Sequence, residues 1–182
     1  MKKILFSILA TLCAFAAVSC QKGDGDAEYG NAVVYIAQAM TNGAIDNVYA
    51  VPAGADVYTY NFKVEENAVK VYLSVYRSGK LNAEDVTVNL EANASASAEQ
   101  AKAMGAEVMP EAMYSLPLKA TVPGDKNSTT VYLELQKSAL QAASGKVYVL
   151  CVDITNPTKY ELSKDASEVV IKLDVDAMKA YL

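Results

Sequence analysis

Apolar and polar residues alternate strictly along much of this chain, and a period of two puts one face inside only if the backbone is extended. Tyr58, Tyr60, Phe62 and Val64 alternate with Thr59, Asn61 and Lys63, which predicts an inward-facing set that includes both tyrosines. Val69, Val71, Leu73 and Val75 alternate with Lys70, Tyr72, Ser74 and Tyr76. The pattern returns at 86–91, 118–122, 131–136 and 169–175, with Leu118, Leu133 and Ile171 among the residues read as inward. Val147–Ile154 is apolar on both faces until Asp153, which predicts a central strand, and Ala32–Ala37 reads as a first strand. Turn chemistry separates the runs at Pro52-Ala53-Gly54, Ser78-Gly79, Pro123-Gly124-Asp125 and Asn156-Pro157. Seven or eight half-buried strands at this spacing predict an all-β fold, an antiparallel β-sandwich of two sheets. One segment departs from it. Ser97-Ala98-Glu99-Gln100 is a capping box and Gly105 a helix stop, so one short inserted helix is expected near 98–104. A helical turn is also expected at Ser138–Ala143.

A chain of 182 residues, 52% of them apolar, can fill one core without staples. Without Lys2 and Lys3 it holds 14 basic and 21 acidic residues, a net charge of −7 that repels phosphate backbones, so no nucleic-acid partner is expected. There is no His, hence no imidazole base, no Ser-His-Asp triad and no His-ligated zinc. No cofactor is implied. Of the three Cys, Cys13 and Cys20 lie in the N-terminal segment, leaving Cys151 in an apolar run, where it reads as a small buried hydrophobe.

Lys2 and Lys3 precede an apolar run, Ile4–Val18, that is shorter than the roughly 20 residues of a spanning helix and suits a signal peptide. It ends in Ala17-Val18-Ser19-Cys20, which resembles the lipobox of bacterial lipoproteins, with Ala17 in place of the more usual Leu. The expectation is a signal peptide over 1–19, lipidation of Cys20, a flexible acidic tether over 20–30 and a globular domain over 31–182. The spacing of Asp24, Asp26 and Glu28 could suggest a calcium loop, but the turn glycine and distal Glu are out of register, so no metal site is expected. The same cluster resembles the surface-export signal of Bacteroidetes lipoproteins, which implies a lipid-anchored outer-membrane location facing the cell surface.

Several runs resemble an Ig-like domain family of Bacteroidetes surface lipoproteins, long labelled a domain of unknown function. They are Val71-Tyr72-Leu73-Ser74-Val75-Tyr76-Arg77-Ser78-Gly79, Ala83-Glu84-Asp85-Val86-Thr87-Val88, Met113-Tyr114-Ser115-Leu116-Pro117, Val122-Pro123-Gly124, and Val147-Tyr148-Val149-Leu150 leading to Ile154-Thr155. The resemblance spans about residues 30–176 and implies an Ig-like sandwich. In that family the domain usually precedes a carbohydrate-binding module or a family-18 glycosidase-type barrel. Leu182 follows closely on the last expected strand, so no downstream catalytic role is carried over.

The carboxylate pairs Glu65-Glu66 and Glu84-Asp85 are adjacent in sequence, so alternation sends their side chains to opposite faces, unlike a glycosidase pair converging on one sugar. No enzymatic activity is expected. Tyr72 and Tyr76 share the polar face of one strand and Tyr132 the polar face of another. If the strands are neighbours, the three phenols form one ligand-contact patch suited to glycan stacking or protein docking. Tyr is equally an ordinary strand former that is commonly half-exposed. The expected role is a non-catalytic surface module that binds or presents glycan or partner protein in a nutrient-capture assembly. The alternative is a structural or adhesin-like component assembling through sheet edges.

Overall fold

The computed structural model describes residues 32–41, 43–79 and 84–182. The expected signal peptide, Cys20 and the tether with Asp24, Asp26 and Glu28 lie outside the described residues. In chain order the first strands are β1 (Val33–Ile36), β2 (Met40–Thr41), β3 (Ala44–Ile45), β4 (Val48–Val51), β5 (Phe62–Val64), β6 (Ala68–Arg77) and β7 (Val86–Ala92). There follow α1 (Ala94–Met104), β8 (Glu107–Val108), β9 (Tyr114–Ser115), β10 (Lys119–Val122), β11 (Ser128–Gln136) and α2 (Lys137–Ala142). The described chain ends with β12 (Val147–Thr155), β13 (Glu161–Leu162), β14 (Glu168–Asp174) and α3 (Val175–Lys179).

These strands form the expected β-sandwich. One sheet runs β13-β1-β6-β11-β9 with β5 also on β6, and the other β10-β7-β12-β14-β4 with β8 also on β12. Inner-face residues of both sheets form one core. Val69, Val71, Leu73 and Val75 of β6 and Leu133 and Leu135 of β11 meet Val86 and Val88 of β7, Leu150 and Val152 of β12, and Ile171 and Leu173 of β14. Five strands of seven or more residues, β6, β7, β11, β12 and β14, carry the two sheets, and shorter ones complete them at the margins. Three of the margin pairings are parallel: β1 with β13, β8 with β12, and β4 with β14. β1 falls within the first strand expected over 32–37, whereas β4, β8 and β13, of two to four residues, carry too little alternation to be read in a sequence.

β12 is central as expected, and buried on both faces because α1 lies across the outer one, where Ala101 packs with Val149, Cys151 and Val170. α1 begins three residues before the expected capping box. Asn93 is its cap, its Oδ1 accepting from the Ala96 N–H at 3.0 Å. Ser97 is instead buried inside the first turn, where its Oγ donates to the Asn93 carbonyl at 2.7 Å and accepts from the Cys151 N–H at 2.8 Å. Gly105 ends the helix at φ +62°, as expected. The expected helical turn after Ser138 is α2. The last strand stops one residue early, because Asp174 caps α3 through the Ala177 N–H at 3.0 Å.

Three inward assignments are corrected. Val64, at the end of its three-residue strand, is 39% exposed, and Tyr58 and Leu118 are more exposed still. Tyr58 does not face the core: it is 93% exposed, and the strand is only Phe62–Val64. Side chains close the preceding segment into a turn. Asp56 Oδ1 accepts from the Tyr58 N–H at 3.0 Å, and Thr59 Oγ1 accepts from the Ala55 and Asp56 N–H groups at 2.9 and 3.0 Å. Gly54 takes φ +112° there, and a Cβ would sit 2.4 Å from the Thr59 carbonyl oxygen. Leu118 is 81% exposed because β10 begins only after it, as the chain crosses from one sheet to the other behind Pro117.

Candidate functional site

Alternation along β6 sends Lys70, Tyr72, Ser74 and Tyr76 to the outer face of the first sheet while Val69, Val71, Leu73, Val75 and Arg77 turn inward. The antiparallel register with β11 then sets Tyr132 opposite Tyr72, Thr130 opposite Ser74 and Glu134 opposite Lys70. On the other flank β1 brings Tyr35 opposite Tyr76, and β5 brings Lys63 opposite Lys70. Two of the three expected patch residues therefore meet: the Tyr72 and Tyr132 rings are tilted, with centroids 5.6 Å apart. Tyr76 lies four residues further along β6, roughly 13 Å away at the rise of a strand. It stacks on Tyr35, centroids 5.7 Å apart and planes 28° from parallel. Tyr35 was absent from the expected patch. Its outward position was legible between Val34 and Ile36, but its neighbour was not.

Between the two aromatic pairs the face is hydroxylic. Ser74 Oγ and Thr130 Oγ1 are 3.3 Å apart, and the Ser74 N–H donates to Gln38 Oε1 at 2.8 Å. Around Tyr132 it is charged. Lys63 and Lys70 hold their ammonium groups 5.0 and 5.6 Å from the ring centroid. Glu65 accepts from both lysines, at 2.8 and 2.9 Å, and Glu134 from Lys70 at 3.3 Å. The hydrogen bond from Lys63 leads in holding the Glu65 carboxyl below its ordinary range, and the hydrogen bond that Lys70 donates to Glu65 leads in raising Lys70. Below the patch, burial pushes the phenol of Tyr49 up to about 12, with Asn61 and Tyr72 beside it. The face thus offers apolar ring surface, hydroxyls and fixed charge within one strand length. A groove of about 410 Å³ adjoins it, lined by Ser115, Pro117, Thr130, Val131, Tyr132 and Glu134.

Three of the four carboxylates singled out in the sequence are tied into the fold, and Glu66 is exposed. Glu65 serves the two lysines, Asp85 Oδ1 accepts from the Gly124 N–H at 3.0 Å, and Glu84 pairs with Lys159 at 2.5 Å. Asp153 and Glu168 oppose each other across β12 and β14, and burial, then the Asp153 charge, raises the Glu168 carboxyl. Cys151 is free and buried, its thiol pushed up to about 11, chiefly by burial. Sequence reading also missed Arg77. It is 1% exposed, and its guanidinium donates to the carbonyls of Glu84, Gly124 and Lys126 at 3.2, 3.3 and 2.9 Å, holding the turn that leads into β11. Among the described residues no group of three or more Asp, Glu or Cys is placed to hold a metal ion. No described helix is long and apolar enough to cross a membrane.

A family model described as an N-terminal domain matches residues 29–161. No curated protein matches the chain. The fold recurs in solved structures, among them three Bacteroides proteins. One is a Bacteroides ovatus protein provisionally described as carbohydrate-binding, 15% identical with a TM-score of 0.54, the match covering 78% of this chain and 36% of that one. Another is a two-domain Bacteroides fragilis protein of unknown function, 20% identical, TM-score 0.52, covering 79% and 45%. The third is a Bacteroides ovatus multidomain protein that includes DUF1735, 16% identical, TM-score 0.54, covering 77% and 44%. The chain thus corresponds to less than half the length of each of these proteins.

Proposed function

The chain belongs to the N-terminal-domain family whose model matches residues 29–161, and on that footing we propose that it is a non-catalytic glycan-binding module of a surface nutrient-capture assembly. The observation that carries this reading is the outer face of the first sheet, where the stacked pair Tyr35–Tyr76 and the tilted pair Tyr72–Tyr132 flank a hydroxylic stretch. Two ring pairs roughly 13 Å apart suit an extended ligand of several sugar units better than a single one. The provisional description of the Bacteroides ovatus neighbour agrees with it. The ion pairs that occupy Glu65 and Glu84 support a binding role over a hydrolytic one. In this reading Cys20 carries the lipid, residues 20–30 are the tether, and the domain from residue 31 faces outward from the outer membrane.

The test is a glycan array probed with the chain from residue 31 onward, followed by calorimetric titration of each hit with wild type and the Tyr72→Ala/Tyr76→Ala double variant. Each ring removed is expected to weaken binding by about 0.5–1.5 kcal/mol. Thermal stability should fall only modestly, since Tyr76 is 36% exposed and Tyr72 half-buried. Full affinity in a folded double variant would remove this face from the reading.

A further inference from the structure

The two lysines of the tyrosine face, Lys63 and Lys70, are both occupied by carboxylates of the same chain. Glu65 bridges them, Oε1 on Lys63 at 2.8 Å and Oε2 on Lys70 at 2.9 Å, and Glu134 adds a second anion to Lys70 at 3.3 Å. Strand register sets this up. Lys63 opposes Lys70 between β5 and β6, and Glu134 opposes Lys70 from β11, so two like charges that would repel across the strands have a carboxylate between them. The turn between β5 and β6 delivers Glu65, whose N–H donates to the Ala68 carbonyl at 2.8 Å. At the foot of β11 the Lys137 ammonium donates to the Glu65 main-chain carbonyl at 3.4 Å. At the Tyr35 side β13 brings a further anion, the exposed Glu161, opposite Val33.

A lysine beside an aromatic ring would by itself suit an acidic sugar, with the ring under the C–H face and the ammonium on the carboxylate. Here an arriving carboxylate has to displace Glu65 or Glu134 and then lie beside the anion it displaced, which like-charge repulsion opposes. The chain as a whole adds to that repulsion, with 21 Asp and Glu against 16 Lys and Arg. A sugar hydroxyl meets no such obstacle. It can donate to a carboxylate lone pair or accept an ammonium proton that the ion pairs leave available. The side chains of Lys63, Glu65 and Glu134 are 41, 38 and 42% exposed, so a ligand lying on the rings reaches them without breaking the pairs.

We propose that Glu65 and Glu134 are specificity-determining residues of this face and restrict it to uncharged glycans, by keeping Lys63 and Lys70 from acidic ones. This rests on the glycan-binding reading above and deepens it. The rings offer contact area to any sugar, and the two carboxylates decide which charge the sugar can carry. An uncharged polymer lies along β6 from Tyr76 to Tyr72 and Tyr132, its hydroxyls meeting the ion pairs at the Tyr132 end. A polyuronate or a sulfated glycan is turned away at that end. Because the uncharged ligand brings no charge of its own, its binding is insensitive to salt.

The test is affinity electrophoresis of the chain from residue 31 onward, whose core is complete within the described residues. Native gels are cast with a panel of uncharged hexose polymers, with each of these after oxidation of its primary hydroxyls to carboxylates, and with a natural polyuronate. Wild type is expected to be retained by an uncharged polymer, equally at low and high salt, and to run freely through the oxidised form of the same polymer. In Glu65→Gln/Glu134→Gln the lysines are released, so the oxidised polymer is expected to retain the variant at low salt and not at high salt. Retention by the uncharged polymer weakens on the order of tenfold as charged acceptors become amides. Exposed ion pairs contribute little to stability, so the variant should melt close to wild type, and Glu134→Gln alone should show a smaller gain of the same sign. Wild type retained equally by the oxidised polymer, or variants that still run freely through it, would overturn the proposal. Retention by the polyuronate alone, abolished by Tyr72→Ala/Tyr76→Ala, would overturn it and leave the glycan-binding reading standing. No retention by any polymer would overturn both.

Discussion

Asn93 does two jobs with one amide, and its removal tests how α1 is held on the outer face of the second sheet. Oδ1 caps the helix through the Ala96 N–H at 3.0 Å, and Nδ2 donates to Asp153 Oδ2 at 2.9 Å. Asn93→Ala loses a cap, about 1 kcal/mol, and a hydrogen bond to a carboxylate, about 1.5–3 kcal/mol. The total is about 2–4 kcal/mol against docking of α1. Cys151 is a built-in reporter, since it lies fully buried under the helix beside Ala101, and its raised thiol needs both exposure and ionisation to react. If α1 opens as a local unit, labelling of Cys151 by a thiol reagent should speed up by roughly thirtyfold to several hundredfold, at tenfold per 1.4 kcal/mol. Asn93→Ser keeps a cap and loses the Asp153 donor, so its rate should fall between wild type and Asn93→Ala. Unchanged labelling in Asn93→Ala, or identical rates in the two variants, would refute this account of the helix N-terminus.

Glu168 sets a pH dependence. Its folded carboxyl is raised by burial and by Asp153, so the folded state binds more protons than the unfolded one between the ordinary carboxyl range and the raised value, and stability is lost as pH rises through that window. Glu168→Gln should raise the melting temperature at pH 7 and leave little difference near pH 4, and thermal melts across that range would show the opposite order if the pair were stabilising. Truncating Leu73, Leu133 or Ile171 to Ala, each at most 1% exposed, should cost about 2–5 kcal/mol in urea unfolding, and under roughly 0.5 kcal/mol would contradict the core assignment. Cys20→Ser should abolish incorporation of a fatty-acid probe, because a hydroxyl forms no thioether; undiminished labelling would remove the lipid anchor from the proposed function.

The side of each long strand that turns inward was legible from residue order alone, because a pleated backbone has a period of two and water decides which half is buried. Val69, Val71, Leu73 and Val75 are buried as that pattern requires, and Val147–Ile154 is the central strand its continuous apolarity announced. The same rule misled at Tyr58, where Asp56 and Thr59 offered the main chain local hydrogen bonds that competed with extension. Residue order placed Tyr72, Tyr76 and Tyr132 outward, yet could not say that Tyr132 faces Tyr72, that Tyr35 completes the pair with Tyr76, or that two lysines lie over one ring. Each of these depends on which strands become neighbours and in what register. Register is set jointly by residues dozens of positions apart as both inner faces close on one core, so only the tertiary structure could decide it.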